Sequence, residues 1–278
     1  MSKGVLYVVA TPIGNLADWS ERAVQTLKEV NWIAAEDTRQ TEKLCQRYHI
    51  STRKFAYHQH NENASAQALL KRLQAGESGA LVSDAGTPLV SDPGFSLVNQ
   101  AHEANIKVVP IPGACSAIVA LSAAGLQTEK FTFMGFLPSK ASQRIKVLES
   151  LASDQTFIFF ESPNRVLNCI QDMCSVFGEQ VRAAICRELT KQFEQIRTET
   201  LDKLVDMLES GDIPQKGEFV VILMVPERKE ATFDECDRYL AALLPHMGPK
   251  SASECVNTLI GTPKNQAYKR ALDLKSKD

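Results

Sequence analysis

Short apolar runs alternate with amphipathic stretches through the first half of the chain. Residues 5–10, Val-Leu-Tyr-Val-Val-Ala, are the first run, and their length suits a buried strand. Residues 21–30 then place Ala23, Val24, Leu27 and Val30 at helical spacing. Further strands are expected at 32–35, 54–57, 79–82 and 107–111. Helices are expected from a Thr38 cap to Tyr48, at 65–73, at 95–101 and up to Ala124. Strands alternating with helices predict a mainly parallel sheet with helices on both faces.

The pattern changes after Ala124. Residues 125–140 read as a domain junction. Strands are expected at 131–136, 156–160, 181–186, 193–201 and 217–225, with helices at 139–151 and 202–209. Another helix should be capped by Ser162, with Pro163 in its first position. A charged linker, 226–230, precedes short helices separated by Pro245, Gly248-Pro249 and Gly261-Thr262-Pro263. The expected class is α/β, with domains at 1–124 (mainly parallel sheet) and 125–226 (mixed sheet). A small helical region spans 232–278.

Polar clusters gather where these strands end: 11–15, 36–39, 83–88, 112–117, 161–165 and 187–191. In open α/β sheets such ends converge on one rim, where ligands bind. The longest cluster runs on to Gly94. Gly86 and Gly94 permit backbone conformations closed to other residues. Asp92 is placed to cap the following helix, with Pro93 at its start, whereas Asp84 has no obvious helix to cap. Singly, each carboxylate reads as a cap or a surface pair; together the clusters favour a site.

Composition narrows the chemistry. The chain has 278 residues, 44% apolar and 23% charged, with net charge −2, so any nucleic-acid surface must be local. Seven cysteines without a C-x-x-C pair fit free thiols in a reducing cytoplasm. The long uncharged span 108–128 is broken by Pro110, Pro112, Gly113 and Gly125, which argues against a membrane helix. The dinucleotide, P-loop, zinc-protease and hydrolase-elbow motifs are absent. His58 and His60 would share a strand face and could hold a metal, but a solvated loop is the simpler reading.

The motifs at 11–16 (Thr-Pro-Ile-Gly-Asn-Leu), 36–39 (Glu-Asp-Thr-Arg), 83–88 (Ser-Asp-Ala-Gly-Thr-Pro) and 112–117 (Pro-Gly-Ala-Cys-Ser-Ala) resemble the tetrapyrrole-methylase superfamily of S-adenosylmethionine enzymes. Within it, 36–39 and 187–191 (Arg-Glu-Leu-Thr-Lys) are similar to a branch acting on small-subunit ribosomal RNA, at the 2′-hydroxyl of a cytidine. The resemblance covers about 4–225, and the helical tail shares it.

The resemblance implies two α/β domains with S-adenosyl-L-methionine in the cleft between them, a homodimer, and a cytoplasmic enzyme. Asp84, Gly86, Thr87 and Val90 would line the methionine side, with Ser116 and Ala117 next to them and Pro12 beneath. Phe160, Leu189 and Phe219 would hold the adenosine, although Phe160 reads equally well as a core aromatic. No metal is implied. Methyl transfer to a hydroxyl is chiefly a problem of alignment, helped by a base or a polarising cation. The rim offers Glu36, Asp37, Asp84, Glu161, Glu188 and Lys191. Asp37 is preferred, with Arg39 on a phosphate and Glu161 as the alternate base; equally, Asp37 and Arg39 could simply pair. RNA contact is expected from the tail through Lys264, Lys269, Arg270, Lys275 and Lys277, and at the rim through Arg39, Arg165, Arg187 and Lys191. The substrate would be ribosomal RNA in a partly or fully assembled small subunit. A tetrapyrrole methylase and a non-enzymatic RNA-binding or cofactor-sensing module are the alternatives.

Overall fold

The computed structural model describes residues 3–59, 61–227, 233–260, 262 and 264–275, with the backbone alone at 233, 234 and 264. His60, Lys277, the start of the tail at 232 and most of the charged linker therefore lie outside the described residues. The chain divides into two compact units, the first ending at Val225 and the second running from Pro226.

The first unit contains both α/β sheets. In the N-terminal sheet, β1 (Val5–Val9), β2 (Trp32–Ala35), β3 (Arg53–Ala56), β4 (Gly79–Val82) and β5 (Lys107–Ile111) are ordered β3-β2-β4-β1-β5 and are parallel throughout. Helices α1 (Glu21–Glu29) and α2 (Thr38–Arg47) cover one face, where Ile33, Ala35, Ala80 and Val82 point. Helices α3 (Glu62–Gln74) and α4 (Phe95–Glu103) cover the other, against Trp32, Ala34 and Leu81. β2 and β4 are buried on both faces, which explains why the sequence shows continuous apolar runs there and not alternation. Gly79 is required by packing: a Cβ there would lie 2.2 Å from the ring of the fully buried Trp32. Pro110 is tolerated because β5 is an edge strand.

Helix α5 (Ser116–Ala123) leaves the first sheet and lies against the second. That sheet has β6 (Phe131–Phe136), β7 (Gln155–Glu161), β8 (Arg182–Arg187), β9 (Gln195–Thr200) and β10 (Phe219–Val225), ordered β6-β7-β10-β8-β9. Only β6 and β7 pair in parallel; the other neighbours are antiparallel, so the sheet is mixed, as expected. Ala117, Ala120 and Leu121 of α5 share a core with Ile158, Ala184, Val220 and Ile222. The opposite face is covered by α6 (Ala141–Glu149), α7 (Val166–Phe177) and α8 (Leu201–Ser210).

The second unit consists of α9 (Phe233–Leu243), α10 (Pro249–Ile260) and α11 (Lys264–Lys275). Cys236, Leu240, Ala252, Val256, Ala267 and Ala271 form its own small core. Among the described residues no helix is long and apolar enough to cross a membrane, and all seven cysteines are free.

Several helix starts differ from the sequence expectation. Asp37, not Thr38, caps α2: its Oδ1 accepts from the Arg39 N–H at 2.8 Å. Asp92 does not cap α4, which begins after Gly94. The carboxylate of Glu62, from α3, accepts from the N–H groups of Gly94 and Ser96 at 3.1 Å each. This cap comes from another helix, so local sequence could not reveal it. Ser162 and Pro163 stay in a turn before α7, whose first residue is Val166. There the Ser162 carbonyl accepts from Arg165 and Val166. The last strand of the β8–β9 hairpin is shorter than the apolar pattern suggested, because Leu201 opens α8.

Candidate active site

The strand-end clusters do converge. The backbones of Thr11 and Gly86 exchange two hydrogen bonds, at 2.9 and 3.2 Å, which join the loops after β1 and β4. The Thr87 hydroxyl donates to the Ala114 carbonyl at 3.0 Å and brings in the loop after β5. Gly86, at φ +87°, is needed for that path. Leu89 and Ser91 in the same loop also have positive φ, 71° and 67°, a cost that backbone at functional sites often carries.

The loop after β8 crosses over from the second sheet. Glu188 and Thr190 again have positive φ, 52° and 66°. Glu188 holds this loop: its carboxylate accepts from the Glu218 N–H and from Lys191 Nζ, each at 2.9 Å. Lys191 also pairs with Glu218 at 2.9 Å. Burial opposes the charge on Lys191, but the two carboxylates outweigh it and raise its pKa, so it stays an ammonium. The Asn15 N–H donates to the Thr190 hydroxyl at 3.1 Å, and a Cβ on Gly14 would lie 2.4 Å from Lys191 Cγ. Gly14 therefore has to be glycine for the two loops to meet.

Two cavities open beside this junction. The first, of about 380 Å³, lies between the sheets and is largely apolar, with Phe136, Phe160, Leu189 and Phe219 on one side and Ile13 and Ser116 on the other. Phe160 packs edge-on to Phe133 and Phe136, with ring centroids 4.9 and 5.7 Å apart. The second, of about 350 Å³, is lined by Pro12, Gln40, Thr41, Leu44, Ser83 and Asp84, among others. Ala85 and Glu218 are walls of both cavities.

The residues expected from sequence thus divide. Ser116, Phe160, Leu189 and Phe219 line the first cavity, and Pro12 and Asp84 line the second. Gly86 and Thr87 lock the loops together, and Ala117 is buried in the core shared with the second sheet. Gly86, Thr87, Val90 and Ala117 do not line either cavity. Asp84 Oδ1 accepts from the Asp37 N–H at 2.9 Å, so the carboxylate without a neighbouring helix in sequence supports the start of α2 in space.

The two preferred bases, Asp37 and Glu161, are already engaged. Asp37 receives both Nε and Nη2 of Arg39, at 3.1 and 2.8 Å, and this pairing lowers its pKa to about 2. The Arg39 side chain nevertheless remains 87% exposed. Glu161 lines the first cavity but is buried, bonded to the Ser162 N–H at 2.7 Å and paired with Arg165 at 3.1 Å. Arg187 is held by the carbonyls of Lys216 and Phe193. In the tail, Lys269 is exposed, whereas Arg270 is paired with Asp237 of α9. Among the described residues no group of His, Cys, Asp and Glu is arranged to hold a metal.

Sequence reasoning missed Glu218, Phe136, Gln40, Thr41 and Leu44 as cavity walls. Gln40, Thr41 and Leu44 follow the 36–39 motif on the first turns of α2, so helical spacing from Asp37 was the available signal. Glu218 gave none.

A family model described as tetrapyrrole (corrin/porphyrin) methylases matches residues 5–205. The chain belongs to the tetrapyrrole methylase family. A second model, the RsmI C-terminal HTH domain, matches 230–275. The family's curated members include ribosomal RNA small subunit methyltransferase I of Pseudomonas aeruginosa, 47% identical over all of both chains. The enzyme of that name from Escherichia coli O157:H7 is 44% identical over 98% of this chain and 96% of its own. Among solved structures, the methyltransferase CobJ superposes with a TM-score of 0.60 at 16% identity, over 81% of this chain and 95% of that one. Uroporphyrin-III C-methyltransferase from Thermus thermophilus, complexed with S-adenyl homocysteine, gives 0.53 at 16% identity, over 80% and 97%. These likenesses establish the tetrapyrrole methylase fold for the first unit.

The loop after β4 also carries a perturbed carboxylate. Burial pushes Asp92 up to about 6, the charges of Glu36 and Asp84 add to this, and a Ser83 hydrogen bond opposes it. An acid whose folded pKa is raised favours folding in its protonated form, so this contribution is full below its unfolded pKa and is lost as pH rises through about 6. Asp92→Asn should therefore raise the melting temperature at pH 7.5 and leave it nearly unchanged at pH 4. An equal shift at both pH values would rule out the carboxylate as the cause.

Proposed function

We propose that this protein transfers a methyl group from S-adenosyl-L-methionine to the 2′-hydroxyl of a cytidine in small-subunit ribosomal RNA. The observation that carries this reading is a pair of cavities sharing Ala85 and Glu218, one apolar and aromatic, the other walled by polar groups of α2 and the β4 loop. Identity of 47% along the whole chain to a ribosomal RNA small subunit methyltransferase I supports the substrate class.

The first cavity suits the adenosine part of the cofactor. Phe160, Phe219 and Leu189 offer apolar surface for a purine, and Ser116 a polar contact. Asp84, beyond the shared Ala85 wall, offers a carboxylate for the ammonium of the methionine end. The bound cofactor supplies an electrophilic methyl carbon. Residues of the chain hold the ribose in line with it and shed the hydroxyl proton.

Asp37 is a poor base near neutral pH, because a carboxylate held at about pKa 2 seldom takes a proton. We assign it to holding Arg39 for a backbone phosphate. Glu161 is committed to Arg165 and Ser162 and steadies the wall of the first cavity. Of the carboxylates weighed as bases, Glu36 has a pKa raised by burial and by the charge of Asp84, which favours proton uptake, but it lines neither cavity. The chain would act as a homodimer in the cytoplasm, on RNA already within a subunit.

Purified protein, labelled cofactor and undermethylated small subunits test the reading directly. Label should appear on the 2′-oxygen of one cytidine, and a tetrapyrrole acceptor should take none; the reverse would identify a tetrapyrrole methylase. Asp84→Asn keeps an acceptor for the Asp37 N–H but removes the charge. It should weaken cofactor binding by ~1.5–3 kcal/mol. Unchanged calorimetric affinity would remove Asp84 from the cofactor site.

For the tail, paired Arg270 and exposed Lys269 should behave differently. Arg270→Glu should destabilise the helical unit. Lys264→Glu with Lys269→Glu should keep it folded and weaken subunit binding. The log affinity–log salt slope should flatten by ~0.7–0.9 for each phosphate that is no longer neutralised. Unchanged binding and slope would move the RNA grip to the rim.

A further inference from the structure

We infer that the α2 side of the second cavity, walled by Gln40, Thr41 and Leu44, receives the target nucleoside, turned out of the RNA strand, while Asp84 of the β4 loop keeps the methionine end of the cofactor; this rests on the RNA reading above. Its volume, about 350 Å³, lies within the range of small-molecule sites. It adjoins the proposed cofactor cavity through Ala85 and Glu218, so a ribose seated in it lies next to the methyl donor. Enzymes that modify a nucleoside commonly take it out of the stack into such a pocket.

Thr41 gives this assignment its chemistry. The residue is only 4% exposed and lines the cavity, yet among the described residues its hydroxyl has no hydrogen-bond partner. A buried hydroxyl left unpaired costs stability, and sites that recognise a polar ligand retain such groups. Gln40, exposed at the same cavity, adds an amide that can both donate and accept, as a pyrimidine edge requires. Leu44 and Leu16 supply apolar surface for the ring. Arg39 and Arg53 line a shallow neighbouring trough beside α2, where flanking phosphates would lie; Lys54 there is paired with Glu42 at 2.9 Å.

The occupant is therefore a single nucleoside of an RNA strand: polar contacts to its base from Gln40 and Thr41, and its phosphates on the Arg39 side. No covalent step is added to the methyl transfer. The hydroxyl proton of the substrate passes to a rim carboxylate as the new C–O bond forms, and the electron pair of the breaking C–S bond stays on sulfur.

Three variants test it, each assayed with undermethylated small subunits and labelled S-adenosylmethionine. Cofactor calorimetry and thermal unfolding run alongside. Thr41→Val removes the unpaired hydroxyl at nearly constant shape, so the free protein should melt no lower than wild type. Its kcat/KM for subunits should nevertheless fall about tenfold, as removal of one buried substrate hydrogen bond predicts. Gln40→Ala should fall similarly, and Leu44→Trp, which narrows the α2 side of the cavity, should fall further. All should retain wild-type cofactor affinity. If Thr41→Val and Gln40→Ala methylate subunits at the wild-type kcat/KM, the assignment is wrong whatever Leu44→Trp does. It is equally wrong if cofactor affinity falls in step with activity, because the α2 side of the cavity then belongs to the cofactor. A failure of the RNA reading is separate: it appears as wild-type protein that does not methylate subunits.

Discussion

Both cavities depend on the packing of α5 against the second sheet. Ala117, Ala120 and Leu121 meet Ile158, Ala184, Val220 and Ile222 in a continuous core. Small side chains let the helix approach closely, so an element that follows the first sheet becomes part of the second sheet's support. With the sheets joined this way, the loops after β1, β4 and β5 face those after β7 and β8. The cleft follows from a hydrophobic contact, and the Asn15–Thr190 hydrogen bond adds a polar link between the two sets of loops.

Polar contacts then fix the loops. Thr11 and Gly86 pair through their backbones, Thr87 reaches Ala114, and Thr190 reaches Asn15. Several residues that the family resemblance places on the cofactor are occupied in holding these loops. Their identity is explained by that task whether or not they also touch a ligand. The left-handed backbone at Leu89, Ser91, Glu188 and Thr190 lies in the same loops, where surrounding bonds hold it in place.

Electrostatics at the rim divide into settled and unsettled charges. Asp37 with Arg39, Glu161 with Arg165, and Lys191 with Glu188 and Glu218 are compensated pairs. Among Glu36, Asp84 and Asp92, Asp84 raises the proton affinity of the other two, and Glu36 adds to that of Asp92. An acidic patch beside the proposed methionine end suits a cationic ligand, whereas the exposed face of Arg39 suits an anionic one.

Strand and helix order, the parallel first sheet and the convergence of the polar loops were legible in sequence, because apolar runs and Gly/Pro punctuation are local consequences of burial. The motifs at 11–16, 36–39, 83–88 and 112–117 identified the family for the same reason: each needs particular residues within a few positions. What sequence could not decide was which partner each polar group would find. Asp84 supports α2, Glu62 caps α4 and Asp37 clasps Arg39, so carboxylates that look alike in sequence have different tasks. The unpaired Thr41 hydroxyl is equally invisible, since only packing shows that no polar group of the described residues bonds to it. Sequence determined where chemistry would gather; tertiary structure decided which groups are free to perform it, because hydrogen bonding and desolvation depend on neighbours brought together from distant parts of the chain.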